Sequence, residues 1–385
     1  MKILLLSQVF WPDTASTAQH LTDLADRLAE DHEVRVLSSR YNYENTRIRY
    51  PKYEERKSVK ITRLNHTSFG KRNTLARVID FFSFNFLLVF KLLSVNRKNT
   101  DLIIGMTSPP LVSFIGVFFA KKKRIDFHYW TMDLQPELSI SSGLIRKGSM
   151  AANLFQRMGN YIFRHADKII VLDKYMGEYA VRRGADEKKM YIAPVWPVVD
   201  QLYTGTRIDN PFRIQNGFGN KIVVMYSGNH SYIHPLDTLL QSAFELRNDS
   251  RFLFVFIGGG VRVKDVTEFK ADHQLDSIVQ LEYQPRNNIH LSLGAADIQV
   301  VILGDNLVGY THPNKVYGSM FIGKPILYIG PEKSHIADIL DPHSGNILVK
   351  HNEATALTKK LMDFAAKTEV EWDSIGEQNR AIATE

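Results

Sequence analysis

Lys315 is the residue whose neighbours best equip it for chemistry. It lies in Pro313-Asn314-Lys315-Val316-Tyr317-Gly318-Ser319-Met320-Phe321-Ile322-Gly323-Lys324-Pro325-Ile326-Leu327-Tyr328-Ile329-Gly330-Pro331, which reads as a helix followed by a short buried strand. Pro313 suits the opening turn, where its missing N–H would have no helical partner. Gly323 can close the helix in the left-handed conformation, and Pro325 stops it continuing. A helix start presents free N–H groups at the positive end of the dipole. Lys315 adds a mobile cation there, and the combination suits a diphosphate.

A second feature is Gly258-Gly259-Gly260, directly after the apolar run Phe252 to Ile257. Without a Cβ the backbone can approach a ligand closely. It lacks the Gly-x-Gly-x-x-Gly spacing and downstream acid of a dinucleotide fingerprint, and on its own it reads as a flexible turn.

The elements that position these groups alternate in type. Strands are predicted at Ile3–Ser7, Val34–Leu37, Val59–Leu64, Leu102–Gly105, Ile169–Leu172 and Tyr191–Pro194, with helices at Ala18–Ala29 and Asn153–His165. The segment from Pro194 to Asn220 is punctuated by Pro and Gly without apolar periodicity, so it reads as a linker. A second series follows, with strands at Ile222–Tyr226, Phe252–Ile257, Ile278–Leu281, Ile298–Ile302 and Ile326–Ile329 and a helix at Leu236–Glu245. Strand–helix alternation predicts an α/β chain with two Rossmann-like domains. Ligands are expected beyond the strand C-termini, in a cleft between the domains.

The chain has 385 residues, of which 44% are hydrophobic, enough to bury large cores. It has no cysteine, which excludes disulfides, thiolate metal sites and a cysteine nucleophile. The apolar start Met1 to Leu6 is too short for a signal peptide and reads as a buried strand. A formal net charge of +7 suits a polyanionic partner, but the basic residues are dispersed apart from Lys121-Lys122-Lys123-Arg124. No RNA-binding signature is present, and nucleic acid is not the expected partner.

The Pro313 segment, with Tyr283-Gln284-Pro285-Arg286 and Gly294-Ala295-Ala296-Asp297-Ile298 upstream, resembles the C-terminal half of the retaining family-4 glycosyltransferases. The bacterial surface-polysaccharide branch (O-antigen, capsule, exopolysaccharide) is the nearest in pattern, and the resemblance runs from Met1 to about Lys350. It implies the GT-B fold, with an acceptor-side domain at 1–200, a linker at 201–220, a nucleotide-sugar domain at 221–367, and a segment 368–385 returning to the N-terminal domain. It also implies transfer from a nucleoside-diphosphate sugar, with UDP favoured over GDP, to a hydroxyl of a lipid-linked or polysaccharide intermediate, with retention. Neither a metal nor another cofactor is expected, and no Asp-x-Asp motif is present.

By the same resemblance, donor contacts fall on Ser16, Gly228, Asn229, His234, Gly259, Gly260, Pro313, Asn314, Lys315 and Tyr317. Relatives often carry Arg and Lys in the loop after Ser227-Gly228-Asn229. Here Asn229, His230 and His234 take those places, which shifts phosphate neutralisation toward Lys315. His234 reads equally as a phosphate contact or a surface turn residue before Pro235. The paired glutamates of many relatives align with Gly318 and with or near Tyr310, neither acidic. Glu332 is a candidate substitute, though a helix-start carboxylate explains it better.

On the acceptor side, Phe127 to Leu138 resembles the family's strand-to-loop segment. Asp133 and Glu137 arrive together there, and Asp133 can take a proton from, or orient, the acceptor hydroxyl; a turn cap is the alternative. His128 reads as a packed strand histidine. Trp11 and Ser16 lie in the first strand-to-helix loop, where relatives place two glycines and this chain has Ala15 and Ser16; helix capping by Ser16 or Thr17 competes with ligand contact. Lys315 and Asp133 are the catalytic candidates.

The runs Val78–Leu93 and Leu111–Ala120 have the composition of core helices, the default reading. Aromatic residues beside Arg97, Lys98 and Lys121–Arg124 are also the pattern of a protein resting on anionic lipid. An anionic membrane surface is thus a further candidate partner, with the protein cytoplasmic and peripheral on the inner face of the plasma membrane. A sugar-nucleotide epimerase on the same scaffold, or a non-catalytic subunit of a polysaccharide assembly complex, are the competing functions.

Overall fold

Runs of β-branched and aliphatic residues bounded by turn formers become parallel strands, and the amphipathic stretches between them become helices that cover the sheets. The computed structural model describes residues 1–43, 45–69, 74–107, 109–199, 201–340 and 345–384. The chain divides into two units, Met1–Pro194 with Gly309–His312, and Val195–Val308 with Pro313–Glu385.

In the first unit the strands are β1 (Lys2–Leu6), β2 (Glu33–Ser39), β3 (Tyr53–Arg56), β4 (Val59–Leu64), β5 (Leu102–Met106), β6 (Asp126–Trp130), β7 (Lys168–Val171) and β8 (Met190–Ile192). They form one sheet in the order β3-β4-β2-β1-β5-β6-β7-β8. All pairs are parallel except β3 with β4. The strand order reverses between β1 and β5, which opens a crevice where the loops after these strands diverge. The helices are α1 (Ser16–Leu28), α2 (Thr74–Leu93), α3 (Pro110–Lys123), α4 (Glu137–Ser141), α5 (Met150–His165) and α6 (Lys174–Arg182).

The second unit holds α7 (Pro211–Gln215), β9 (Ile222–Ser227), α8 (Asp237–Glu245), β10 (Phe252–Ile257), α9 (Val263–Asp272), β11 (Ile278–Leu281), α10 (Ile289–Gly294), β12 (Ile298–Ile302), α11 (Lys315–Ile322), β13 (Ile326–Ile329), α12 (His335–Ile339), β14 (Ile347–Val349), α13 (Ala354–Ala365) and α14 (Glu369–Thr384). Its sheet is parallel throughout, in the order β11-β10-β9-β12-β13-β14, with the reversal between β9 and β12. One face packs against Leu239, Leu240, Leu361 and Phe364, the other against Phe212, Phe218, Ala295 and Ala296.

Several expectations change. The stretch 201–220 is not a free linker: the second unit starts at Val195, and this stretch is folded into it. Buried Arg213 donates to the Ala295 and Gly219 carbonyls at 2.8 and 3.0 Å and pairs with Asp297 at 3.1 Å. Asn210 caps α7 and donates to the Leu291 carbonyl. Polar groups rather than an apolar face hold this segment, so it carries no periodic signal.

Segment 368–384, expected to return to the N-terminal domain, is grouped with the second unit. Trp372 stacks on Phe364 with ring centroids 4.9 Å apart, and Arg380 donates to the Phe321 and Ile322 carbonyls at the end of α11. The α2 helix is not wholly core either, because only one of its sides is covered. Phe84, Leu88 and Leu92 are buried while Phe82, Phe86 and Phe90 are exposed.

Candidate functional site

Within the second unit, the loops after β9 and β10 and the start of α11 converge. Gly228 has a φ of 139° and Gly258 and Gly260 each 131°, a region that favours glycine. A Cβ on Gly258 would lie 2.1 Å from the Gly228 carbonyl oxygen, and one on Gly260 would lie 2.4 Å from both Asn229 Oδ1 and the His230 carbonyl oxygen. The two loops therefore pack backbone against backbone. Their register is held by N–H donation from Gly228 to Ile257, from His230 to Gly259 and from Arg262 to His230. The ring of Tyr283 covers Gly258 and Gly259.

Lys315 opens α11, with Asn314 as the cap and Gly323 closing the helix at a φ of 76°. Its Nζ lies 3.7 Å from the centroid of the Tyr226 ring and 3.1 Å from where a Gly228 Cβ would stand. This Nζ is shut off from solvent and has no hydrogen-bond partner, although the residue as a whole is only half-buried. Burial pushes its pKa down to about 7. The ring gives a cation–π contact but no counter-charge. The group is a buried cation that lacks an anion.

The nearby histidines do not share that charge. Burial, reinforced by the Lys315 charge, lowers His230 to about 4 and His234 well below its ordinary value. His234 is not a surface turn residue: it is buried, with Nδ1 2.7 Å from the Ile302 carbonyl oxygen of β12. Tyr317 is buried on α11, its hydroxyl 2.9 Å from His335 Nε2. Gly318 faces Val199 and Leu293, so a side chain there would meet an apolar cluster rather than the loops. Glu332 is exposed and paired with Lys350 at 2.9 Å, and Ser334 rather than Glu332 caps α12.

In the first unit Asp133 sits on the loop after β6. Its Oδ1 accepts from Thr311 Oγ1, and its N–H donates to Thr107 Oγ1 at 3.2 Å. Burial raises the Asp133 pKa; the Thr311 hydrogen bond and the nearby His312 partly offset this. Asp133 is thus held by the turn after β5 and by Gly309–His312, and caps no helix that follows. His312 Nδ1 lies 2.7 Å from Asp173 Oδ2, and Asp173 caps α6. The same short segment runs at Pro313 directly into the start of α11.

Glu137 turns away into an ion pair with Arg183 at 2.9 Å, both side chains nearly buried, which ties α4 to the end of α6. Trp11 has Arg56 over its ring at 5.4 Å, and its carbonyl accepts from Arg63. Ser16 is the first residue of α1, and the cap position falls on Ala15, which forms no side-chain cap. His128 is half-buried in β6, with its pKa lowered mainly by burial.

The sequence reasoning missed Tyr226, Thr107, Thr311 and the His312–Asp173 pair. Tyr226 and Thr107 lie at or just after the C-termini of the β9 and β5 strands, where crevice-lining residues are to be sought, and that position was the available signal.

Residues 17–196 match the glycosyl transferase 4-like domain. Over 299 residues the chain is 25% identical to WbjE of Pseudomonas aeruginosa, which carries a glycosyltransferase name; the match covers 77% of this chain and 73% of that protein. The chain is a glycosyltransferase with the GT-B fold. The glycosyltransferase is also 22% identical over 339 residues to WcaI of Escherichia coli, named for colanic acid biosynthesis, covering 84% of this chain and 82% of WcaI. Among solved structures it resembles HepE of Anabaena, crystallised with UDP and glucose. There the TM-score is 0.72 at 15% identity, over 100% of this chain and 95% of HepE, a likeness of fold.

Proposed function

We propose that this glycosyltransferase moves a hexosyl or N-acetylhexosaminyl group from a UDP-sugar to a hydroxyl of a lipid-linked or polysaccharide intermediate, with retention and without a metal. One observation carries the reading: the solvent-excluded, unpartnered ammonium of Lys315 beside the glycine loops of β9 and β10. A diphosphate supplies the anion that this cation lacks, and loop N–H groups add donors. The HepE complex with UDP and glucose supports a uridine donor, and the colanic acid name of WcaI supports a polysaccharide acceptor.

In the transfer, the bond from the anomeric carbon to the diphosphate oxygen breaks and a bond to the acceptor oxygen forms. The electron pair leaves with the diphosphate, where Lys315 stabilises it. Asp133 accepts the proton of the acceptor hydroxyl or aligns it, and the burial that raises its pKa makes it a better base. Neutral His230 and His234 lie beside these loops without adding charge.

The test is thermal unfolding against UDP, GDP, ADP and CMP, followed by turnover with the sugars of the selected base. A ligand at about 100 times its dissociation constant stabilises by about 2.7 kcal/mol, and UDP is expected to give the selective shift. Retention is read from the anomeric configuration of the product. An isomerised donor formed without acceptor would replace this reading with an epimerase. Failure of every diphosphate to shift the transition would replace it with a non-catalytic subunit.

A further inference from the structure

We infer that α2 rests flat on an anionic lipid surface through its outward aromatic side. Among the exposed residues of this helix, Phe82, Phe86 and Phe90 are 60%, 62% and 54% accessible, and Leu75 and Leu93 extend the row toward both ends. Steps of three, four and seven residues place all five on one side of the helix. Phe86 meets Phe90 edge-on with centroids 4.7 Å apart, so the ridge is formed before anything covers it. Between α2 and α3 an open groove of about 540 Å³ is lined by Phe82, Phe86, Leu111 and Ile115. An uncovered contiguous apolar row of this kind marks an interaction surface.

Charge decides what covers it. Lys123 Nζ donates to the Leu92 and Leu93 carbonyls at 2.8 and 2.6 Å, which sets the C-terminal ends of α2 and α3 side by side. Exposed Lys91 in the last turn of α2 is followed by Arg97 and Lys98, and exposed Lys122 in the last turn of α3 is followed by Arg124. Among the described residues, the acids next to these in sequence or by contact are Asp101, which accepts from the Lys2 N–H, Asp126, and Asp167, which is paired with Lys121. Cations exceed acids there. Lys122 lies over Phe118 at 4.5 Å, joining the basic end to the apolar row.

A second copy of the chain would bring the same cations with it, whereas anionic lipid supplies the opposite sign. The helix lies on the lipid rather than across it. Its inner side is packed in the protein, and no described helix is long and apolar enough to cross a membrane. The inference does not depend on the donor reading, since neither Lys315 nor Asp133 takes part.

The experiment is co-sedimentation of the full chain with vesicles of phosphatidylglycerol and phosphatidylcholine, or of phosphatidylcholine alone. Light scattering of the vesicle-free protein runs in parallel. Binding to the anionic vesicles is expected, weaker at high salt, and reduced by about tenfold or more in F82S/F86S/F90S and in K98E/K122E. Unfolding temperature and UDP response should be unchanged in both variants, which separates loss of this surface from loss of the fold or the donor site. Wild-type protein that stays in the supernatant, or a triple variant that binds as well as wild type, overturns the inference. So does a dimer that the triple substitution makes monomeric while vesicle binding is absent.

Discussion

Lys315 and Asp133 are both half-buried ionisable residues, one at a helix start beside two strand-end loops and one on a strand-end loop, and they are supported in opposite ways. Asp133 has its neighbours: Thr311 donates to its carboxylate and Thr107 accepts from its N–H. Lys315 has the face of Tyr226 and no hydrogen-bond acceptor. A satisfied carboxylate is held in place before substrate arrives. A cation shut away without an anion costs stability until a ligand provides one. On the proposed reading, the donor site is completed by its substrate, and the acceptor-side loop is completed by the protein.

The comparison breaks most visibly at the two charges themselves. Asp133→Asn keeps the shape and the Thr311 contact but loses the base, and turnover should fall by about 10²- to 10⁴-fold with little change in UDP affinity. Equal turnover in the two proteins would remove Asp133 from the chemistry. Lys315→Met should lower turnover by about 10²- to 10³-fold and weaken UDP, yet make the unliganded protein more stable.

The sign of that stability change follows from linkage. In the native state the Lys315 pKa is lowered from 10.5 to about 7. Between those values the unfolded chain binds more protons, so wild-type stability rises with pH. The penalty removed by Lys315→Met is on the order of 4 kcal/mol near pH 7 and fades toward pH 10. Denaturant unfolding of both proteins across that range measures it, and parallel curves would contradict it.

Two smaller effects sharpen the picture. Gly258→Ala places a methyl 2.1 Å from the Gly228 carbonyl oxygen at a φ of 131°. It should cost roughly 2 kcal/mol or more, read as a lower transition of the second unit with diminished UDP response. Thr311→Val removes the hydrogen bond that lowers the Asp133 pKa. The acid limb of the pH–rate profile should then move to higher pH, with the plateau nearly kept. A shift to lower pH, or none, would mean that Asp133 does not set that limb.

Much of the scaffold was legible in the sequence. Val59–Leu64, Phe252–Ile257, Ile278–Leu281, Ile298–Ile302 and Ile326–Ile329 are strands with the expected ends, because apolar runs bounded by turn formers have few other solutions in a parallel sheet. The helix closed at Gly323 was legible for the same local reason. Tyr53–Arg56 was not: it is a short, antiparallel edge strand with no buried side chain, and leaves no apolar pattern.

The site was legible in part. Local motifs singled out Lys315 and Gly258, and the family resemblance added Gly228 and Asp133, but what each one touches comes from distant chain. Tyr226 under Lys315 and Thr311 against Asp133 are tertiary pairings that no spacing rule encodes. The aromatic runs were ambiguous for a different reason. Phe84 and Phe86 are the same residue type on opposite sides of one helix, one buried and one exposed, and composition cannot distinguish them.

The most direct test of the central claim is calorimetric titration of UDP at pH 8 in two buffers of different ionisation enthalpy, for wild type and Lys315→Met. With a free pKa of about 7, most Lys315 side chains are neutral at that pH, and a diphosphate must draw a proton onto them. Wild type is expected to take up about one proton per UDP bound and the variant none, with wild-type affinity falling by up to about tenfold per pH unit above 7. Tight binding without proton uptake, or equal uptake by the two proteins, would contradict it.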